Sequence, residues 1–471
     1  MKKLTKIVAT IGPASWDEDK IKTLIENGVN VFRQNFSHGN AEVHLETMSR
    51  IKKVATEIKQ PVAILQDLAG PKMRTGNFKD DTVSLIEGNK FILTSREVEG
   101  DSSVVSINYP ELVSQVSPGD QLRLDDGKIS LEVLRTSETD IHTKIINGGD
   151  IKSRRGINVP GVRLQIDVFT EKDKKNVLYF VDNQYDWISL SFVQSAHDIE
   201  LLKTTLADNH ISSQVMAKIE TSAALENIEE IIAVSDGIMV ARGDLAIETP
   251  VSQVPIWQKK IVKKCRAAGK PVIVATQMLE TMMDNPVPTR AEVSDIANAI
   301  FDGADAVMLS GETAAGNYPV KSVEAMADVC MKVEVSDEYR NKFYASYTMH
   351  QSQNSSIANS VFTLAQDNNV SAIVCLTHTG STAKSISKLR PGVPIYALTE
   401  SSSVWSDLQL HSSIKPILVN DIGQDSANIR EWIVTYLSNE EIFNNNESIL
   451  ATYSQAGFGK GHTDSISLIN I

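Results

Sequence analysis

The residues best suited to chemistry are charged or hydroxylated side chains at the ends of short apolar segments. Lys218 and Arg33 are fixed cations that can neutralise charge on a phosphoryl group during its transfer. Glu220 and Asp244 offer hard oxygen ligands of the kind that Mg²⁺ shares with water and substrate phosphate. No cluster of His and Cys accompanies them, so a zinc centre is not indicated. The full set is Arg33, Asn35, Asp67, Lys218, Glu220, Arg242, Asp244, Thr276, Gln277, Ser310 and Glu312.

The segments that carry these residues read as buried parallel strands, because they are β-branched and apolar on both faces. Amphipathic helical patterns follow them. Eight such strand–helix units in succession favour a (β/α)8 TIM barrel over the competing open doubly wound sheet. In a barrel, residues at the C-terminal ends of the strands line the active site. The predicted strands are 6–12, 30–37, 62–68, 186–193, 214–220, 237–243, 271–277 and 306–311.

Two further regions interrupt or follow the barrel. Between residues 70 and 163 the helical period gives way to frequent turn signals and short alternating runs, which predicts a small β-barrel lid domain inserted after the third strand. A polar stretch near 336–356 is expected to link to a C-terminal open α/β domain, residues 336–471, with a regulatory role. The barrel itself is then assigned to residues 1–69 and 164–335.

Composition excludes several classes of function. The 471 residues carry a net charge of −13, so the chain has no general basic field for nucleic acid or an anionic membrane. No apolar run approaches the ~20 residues of a membrane span, and the start of the chain lacks a signal-peptide core. We therefore expect a cytoplasmic enzyme.

Long motifs identify a family. The segments KIVATIGPAS, RQNFSHG, SDGIMVARGDL, KPVIVATQMLETM and PTRAEVSDIANAIFDGADAVMLSGETA occur in the order and spacing typical of pyruvate kinase. The chain resembles this family densely over residues 6–335 and more thinly beyond. The resemblance implies phosphoenolpyruvate and ADP as substrates, ATP and pyruvate as products, Mg²⁺ as cofactor and a homotetramer. A non-catalytic metabolite sensor and another phosphoenolpyruvate-using barrel enzyme are the alternatives.

The resemblance also implies residue roles. Glu220 and Asp244 would hold Mg²⁺, Lys218 would stabilise the transferring group, and Arg33 would bind its phosphate. The substrate carboxylate would be bound by Thr276 and by the backbone N–H groups of Gly243 and Asp244. A proton would reach the enolate carbon past Thr276, Ser310 and Glu312. Nucleotide contacts would come from Pro13, Asn35, His38, Arg74 and Arg155.

Two regulatory features follow from the same resemblance. The positions that hold potassium in many members are Asn35, Ser37, Asp67 and Leu68, but Lys72 replaces the glutamate of the potassium-dependent enzymes. As in the potassium-independent members of bacterial type, its ammonium is expected to substitute for the ion. In the C-terminal region, a loop is expected to bind the phosphate of an activating metabolite, although plain helix capping is the alternative. Its residues are Thr377, Thr379, Gly380, Ser381 and Thr382.

Positions 34 and 167 depart from the family pattern. Gln34 stands between Arg33 and Asn35, where an apolar residue is usual. Asp167 replaces a proline at the returning hinge of the insert, which leaves the stiffness of that hinge open. Neither change removes a charged catalytic group.

Overall fold

Eight parallel strands form a closed barrel in the computed structural model, which describes residues 3–350, 355–422, 428–440, 442–443, 447–454 and 463–471. Each strand pairs with its neighbours in chain order, and the first strand pairs with the last, Lys6 opposite Ala306. This closure confirms the predicted (β/α)8 barrel and rules out the open sheet. The strands are Lys6–Thr10, Val31–Asn35, Ala63–Asp67, Trp187–Leu190, Gln214–Ile219, Gly237–Ala241, Val272–Ala275 and Ala306–Leu309.

Helices surround the barrel and begin and end at residues with clear local causes. Thr289 starts one of them with a capping box, in which its side chain and that of Glu292 each accept a hydrogen bond from the other's backbone. Gly303 ends the same helix, and Gly269 ends the preceding one, both in the left-handed conformation, which glycine adopts without a Cβ clash. The helices are Glu18–Glu26, Ala41–Glu57, Glu171–Tyr179, Ala196–Asp208, Ser222–Glu226, Ile228–Val234, Arg242–Glu248, Val254–Ala268, Arg290–Asp302, Gly311–Ala314 and Pro319–Glu334.

The insert after the third strand is a β domain with its own core, as predicted. It contains a six-stranded sheet, a two-stranded sheet and one short helix, Leu112–Gln115. Phe91, Leu122 and Ile141 lie fully buried between its strands. The strands are Thr82–Leu85, Lys90–Thr94, Val104–Ser106, Gln121–Leu124, Ile129–Thr136, Asp140–Asn147, Gly149–Lys152 and Ile157–Asn158.

The C-terminal region is the predicted open α/β sheet. Four of its five strands are parallel, and the last, Ser465–Asn470, pairs antiparallel at the edge. The other strands are Ala372–Leu376, Ile395–Thr399, Ile414–Leu418 and Ser448–Tyr453, and the helices are Ser356–Asp367, Ser381–Ser387, Ser402–Leu408 and Ile429–Asn439.

The connection between these regions contains a helix that the sequence analysis did not predict. Residues Asp337–His350 of the polar stretch near 336–356 form this helix. Tyr339, Phe343 and Tyr347 recur every four residues and are buried, so they form an apolar stripe that packs the helix onto its neighbours. The polar residues between them hide this stripe in the sequence.

The C-terminal region closes the N-terminal end of the barrel. Leu410 is fully buried against apolar residues at the starts of the strands, among them Val31 and Trp187. The Trp187 indole N–H donates to the carbonyl of Ser406 at 3.0 Å. Arg390, which is also buried, pairs with Asp305 at 3.0 Å. The opposite end of the barrel, where the candidate site residues lie, is left open to the insert.

Candidate active site

A cavity of about 490 Å³ lies between the C-terminal ends of the barrel strands and the inserted domain. Most of the residues predicted from strand ends line it, together with basic residues of the insert. A cleft between two domains with converging charged groups is the usual setting of a small-molecule site. The charged and polar lining residues include Arg33, Asn35, Ser37, His38, Asp67, Lys72, Arg74, Arg155, Lys218, Glu220 and Asp244.

Asp67 joins the two cations at the base of the cavity. Arg33 donates to Asp67 Oδ2 through Nε at 2.8 Å, and Lys218 Nζ lies 3.3 Å from Asp67 Oδ1. The Ser189 hydroxyl also donates to Oδ1, at 2.7 Å. Although burial alone would raise the pKa of Asp67, the charges of Lys218 and Arg33 lower it to about 2. Asp67 is therefore an anion that fixes both cations in place.

Lys218 has three polar neighbours at the end of its strand. Its ammonium donates to Ser191 Oγ at 2.6 Å and lies 3.0 Å from Glu220 Oε1. Lys218 and Glu220 are two residues apart on one strand, so their side chains point to the same side. Burial lowers the pKa of Lys218, but the carboxylates of Asp67 and Glu220 outweigh burial and raise it. The lysine stays charged.

The two carboxylates predicted to hold a metal follow the C-terminal ends of two neighbouring strands, and both line the cavity. Glu220 is buried and accepts from the backbone N–H of Phe192 at 2.7 Å. Asp244 is half-buried and forms no hydrogen bond or ion pair with any described residue. Burial and the charge of Asp244 raise the pKa of Glu220, while Lys218 opposes that rise. A cation bound between the two carboxylates would relieve the repulsion that Glu220 experiences from Asp244.

Thr276 lies at the end of the seventh strand and faces the start of the helix Arg242–Glu248. Its hydroxyl oxygen accepts from the Gly243 backbone N–H at 2.8 Å and donates to the Ala275 carbonyl at 2.6 Å. Thr276 and the next residue, Gln277, have φ of 70° and 53°, a left-handed conformation that a β-branched residue rarely adopts. The strained turn places the hydroxyl against the helix start.

Comparisons with known proteins now decide the family. The family model "Pyruvate kinase, barrel domain" matches residues 2–323, and "Pyruvate kinase, alpha/beta domain" matches residues 355–469. The chain belongs to the pyruvate kinase family. It is therefore an enzyme of the phosphotransferase class, for which phosphoenolpyruvate and ADP are the implied substrates.

Individual relatives agree with the family match. "Pyruvate kinase 2" of Synechocystis sp. is 44% identical over 433 residues, which are 91% of this chain and 73% of that protein. The pyruvate kinase of Clostridium acetobutylicum is 43% identical over 89% of both chains. A crystal structure of a pyruvate kinase from Cryptosporidium parvum superposes with a TM-score of 0.91 at 32% identity, covering 99% of this chain and 96% of that one.

The residues predicted to contact a nucleotide come from both the barrel and the insert. Asn35 and His38 line it from the barrel, and Arg74 and Arg155 line it from the insert. Arg74 Nη1 donates to the Arg154 carbonyl at 2.9 Å, which fixes its guanidinium beside the second arginine. Pro13 is exposed and is not among the lining residues.

Several of the strand-end residues lie outside the cavity, and two of these, Arg242 and Glu312, are held by partners elsewhere. Arg242 pairs with Asp295 at 2.7 Å and donates to the carbonyls of Ala275 and Thr276, so it fixes the barrel end. Glu312 is buried and accepts from the backbone N–H groups of Leu279 and Ser310. Thr276, Ser310 and Glu312 are not among the residues that line the cavity.

The sequence reasoning missed the contribution of the fourth strand. Ser189 and Ser191 bind Asp67 and Lys218, and Phe192, with φ of 58°, supplies the N–H that binds Glu220. The signal was present, because Ser189 and Ser191 alternate at the end of a predicted barrel strand. Small hydroxyls in an apolar run are easily taken for core residues.

The departure at position 34 has a structural explanation. The Gln34 side chain accepts from the Tyr185 hydroxyl and donates to the His44 carbonyl at 2.9 Å. Gln34 is fully buried, so both of its polar ends need partners. Tyr185 and the helix 41–57 therefore accommodate a polar residue where an apolar one is usual.

Proposed function

We propose that the chain transfers the phosphoryl group of phosphoenolpyruvate to ADP with the help of Mg²⁺, giving pyruvate and ATP in the last step of glycolysis. The observation that carries this proposal is the convergence of Lys218 and Arg33 with Glu220 and Asp244 in one cavity beneath the insert. Phosphoryl transfer needs positioning and preorganised positive charge more than covalent catalysis.

The residues present fit Mg²⁺. The Asp244 carboxylate has no hydrogen-bond or ion-pair partner among the described residues, and Glu220, just after the neighbouring strand, has one oxygen directed to Lys218 and the other to a backbone N–H. No group of three or more His, Cys, Asp or Glu that could hold a metal occurs in the described part of the chain. Two carboxylates, completed by water and substrate oxygens, are the usual magnesium arrangement. The ion would supply Lewis-acid polarisation of the phosphoryl group.

The protein's own groups would bind and orient the reactants. We propose that Arg33 binds the phosphate and that Lys218 stabilises the charge on the transferring group and on the enolate left behind. Thr276 and the N–H groups of Gly243 and Asp244 would take the carboxylate, which must then displace the Gly243–Thr276 hydrogen bond. The N–H groups at a helix start have no intrahelical acceptor, which favours an anion there.

The proposal also assigns residues to nucleotide binding and to protonation of the enolate. Asn35, His38, Arg74 and Arg155 would contact ADP, and Pro13 would approach it from the surface. The proton would reach the enolate carbon past Thr276 and Ser310. Glu312 would act there as a positioning residue, since both of its carboxylate oxygens already accept backbone hydrogen bonds.

The test is an assay with phosphoenolpyruvate and ADP in which both pyruvate and ATP are measured. We expect equimolar products, loss of activity on removal of divalent metal, and recovery with Mg²⁺. A metabolite sensor would form neither product, and a carboxylase or synthase would consume phosphoenolpyruvate without forming ATP. Either result would refute the proposal.

We also propose that the enzyme does not require potassium. Support comes from the oxygens that would bind the ion. The Asp67 carboxylate already binds Arg33, Lys218 and Ser189, and the Leu68 carbonyl accepts from the Ser191 hydroxyl at 2.7 Å. Asn35 Oδ1 accepts from the Ser37 backbone N–H at 3.1 Å.

In this proposal the Lys72 ammonium supplies the positive charge that potassium supplies in the potassium-dependent enzymes. It lines the cavity, and desolvation together with the charges of Lys218 and Arg74 lowers its pKa, while Asp244 and Asp67 oppose that shift. Its ammonium therefore lies within electrostatic reach of the carboxylates that potassium would balance.

Activity at saturating Mg²⁺, with every small monovalent cation replaced by a bulky quaternary ammonium ion, tests the role of Lys72. We expect wild-type turnover to persist in this medium. Lys72→Glu should lose turnover there and regain part of it when potassium is added, whereas Lys72→Met should lose turnover with less recovery. Near-complete loss of wild-type turnover, restored by potassium, would contradict the proposal.

A phosphorylated metabolite is proposed to activate the enzyme at the loop 377–382. The hydroxyl of Thr382 lies 2.6 Å from that of Thr463, so two chain segments bring hydroxyls together. Thr377 Oγ1 accepts from the Gly380 N–H at 2.9 Å. Plain capping is less well supported, because the residue before the helix is Gly380, which has no side chain to cap it.

A screen of sugar phosphates and nucleoside monophosphates at low phosphoenolpyruvate tests the loop. We expect at least one to raise the rate, and the double variant Thr379→Glu, Thr382→Glu to abolish that response while leaving basal activity. An effector that works equally on the variant would overturn the assignment. The homotetramer and the three domain ranges given above are also proposals, which light scattering and limited proteolysis test.

No helix in the described part of the chain is long and apolar enough to cross a membrane.

A further inference from the structure

A second cavity, of about 270 Å³, lies at the opposite end of the barrel from the candidate active site. One wall is made by loops that precede the fifth, sixth and seventh barrel strands, and the other by the helix Ser381–Ser387 and the segment after it. The lining residues are Gln214, Asp236, Ala268, Gly269, Lys270, Ser381, Lys384, Ser385, Lys388, Asp407 and His411.

Both carboxylates in this cavity already have a lysine partner. Asp407 Oδ2 accepts from Lys384 at 2.8 Å. Asp236 Oδ1 accepts from Lys203, which lies beside the cavity, at 2.7 Å. His411 is buried and its Nε2 lies 3.5 Å from Asp407. Asp236 and Asp407 thus have positively charged partners other than Lys270 and Lys388, the two remaining lysines of the cavity.

Lys270 and Lys388 have no carboxylate partner among the described residues. Lys270 Nζ donates only to the Ser235 carbonyl, at 2.7 Å. The Lys388 ammonium forms no hydrogen bond or ion pair with a described residue. The three lining lysines and the adjacent Lys203 therefore accompany two aspartates, an excess of two positive charges in and beside a cavity between two domains.

These two ammonium groups are partly removed from water. Burial lowers the pKa of Lys388, and burial together with the charges of Lys203 and Lys384 lowers the pKa of Lys270 against the opposing effect of the two aspartates. A partly buried charge without a counter-ion is unfavourable, so a bound anion would relieve the strain on both groups.

We propose that this cavity binds a small phosphate monoester in its dianionic form. Two unpaired ammonium groups match its two negative charges, since such an ester carries close to −2 near neutral pH. The hydroxyls of Ser381 and Ser385 and the amide of Gln214 offer partners for the alcohol part, for which the cavity has room beyond a bare phosphate. Lys384 lies on the helix and Lys388 follows its last residue, four positions later, and both line the cavity.

The site differs from the effector loop proposed above, although Ser381 at the start of the helix belongs to both. A ligand here would touch the barrel through Lys270 and the C-terminal region through Lys388. It would be bound whether or not the loop binds anything. Variants in the loop and in the cavity therefore distinguish the two proposals.

Calorimetric titration with glycerol 3-phosphate tests the site. The proteins compared are the wild type, Lys270→Gln, Lys388→Gln, the exposed-surface control Lys263→Gln and the loop double variant Thr379→Glu, Thr382→Glu. We expect each cavity variant to lose one equivalent of binding or to weaken it by about tenfold, and the control and the loop variant to keep it. Any glycerol 3-phosphate that binds in the catalytic cavity instead would bind equally well to every variant.

The sulfate ester of the same alcohol provides a charge control, because it is a monoanion of similar shape. It should bind this site about tenfold more weakly than the phosphate ester. Equal affinity for the two esters, binding unchanged in Lys270→Gln and Lys388→Gln, binding lost only in the loop variant, or no binding to the wild type would each overturn the proposal.

Discussion

Replacing Lys218 with methionine separates transition-state stabilisation from simple substrate binding. Methionine keeps most of the length of the side chain and removes its charge. Lys218 is nearly buried, with 11% of its side chain exposed, so its field is weakly screened. At an effective dielectric constant of about 20, a unit charge about 4 Å from the transferring group is worth about 4 kcal/mol. The expected loss of turnover is therefore about a thousandfold.

Most of this loss should appear in kcat and little in KM. The ground-state phosphate retains Arg33 and the metal, whereas the negative charge that develops during transfer has lost its nearest ammonium. Steady-state kinetics with phosphoenolpyruvate and ADP, together with direct binding of phosphoenolpyruvate, measure the two effects. An unchanged kcat with a raised KM would refute the proposed role.

The variant must also be shown to fold. Without the ammonium, Glu220 faces the cavity with a single backbone partner and can take up a proton, and Asp67 keeps Arg33 and Ser189. We therefore expect a modest fall in Tm. Lys263→Met, at an exposed position on the barrel, is the matched control and should leave both Tm and kcat unchanged.

Two further predictions concern stability. Gln34→Met should destabilise the protein by about 1–3 kcal/mol in urea unfolding, because the buried Tyr185 hydroxyl loses its acceptor, and adding Tyr185→Phe should recover part of that loss. Burial alone would raise the pKa of Asp407, but His411 and Lys384 lower it to about 2. Since this pKa is depressed on folding, the stabilisation, about 2 kcal/mol, is present above pH ~4 and lost as the pH falls towards 2. Asp407→Asn should be less stable than the wild type above pH ~4, and the difference in their free energies of unfolding should shrink as the pH falls towards 2. A difference that stays constant with pH would contradict this.

The architecture was largely predictable because its signals are local and repeated. Each barrel strand is a short apolar run, and each is followed by a helix with a polar face, so the count of eight was readable in order. The insert was visible where Gly-rich turns replace that alternation. The helix Asp337–His350 was not, because its apolar stripe consists of three aromatic residues separated by charged and polar ones.

The candidate site was only partly predictable, because a residue's place at a strand end does not determine the direction in which its side chain points. Lys218, Glu220 and Asp67 meet in the cavity as expected. Arg242 occupies an equivalent strand end, yet its guanidinium turns to Asp295 and to backbone carbonyls. Whether Lys218 or Arg242 faces the cavity depends on partners contributed by other strands, and those partners are distant in the chain.

Backbone conformation accounts for much of what the residue types could not reveal. Phe192, Thr276 and Gln277 follow the fourth and seventh strands with positive φ, a conformation that costs of order 1–3 kcal/mol for each such residue. At Phe192 the resulting turn directs an N–H to Glu220, and at Thr276 it directs a hydroxyl to the N–H of Gly243. Both strained turns therefore act on groups proposed to bind metal or substrate. The rest of the barrel must supply the stability that holds them, and the fully buried strands, closed at the far end by Leu410, are the part of the fold able to do so.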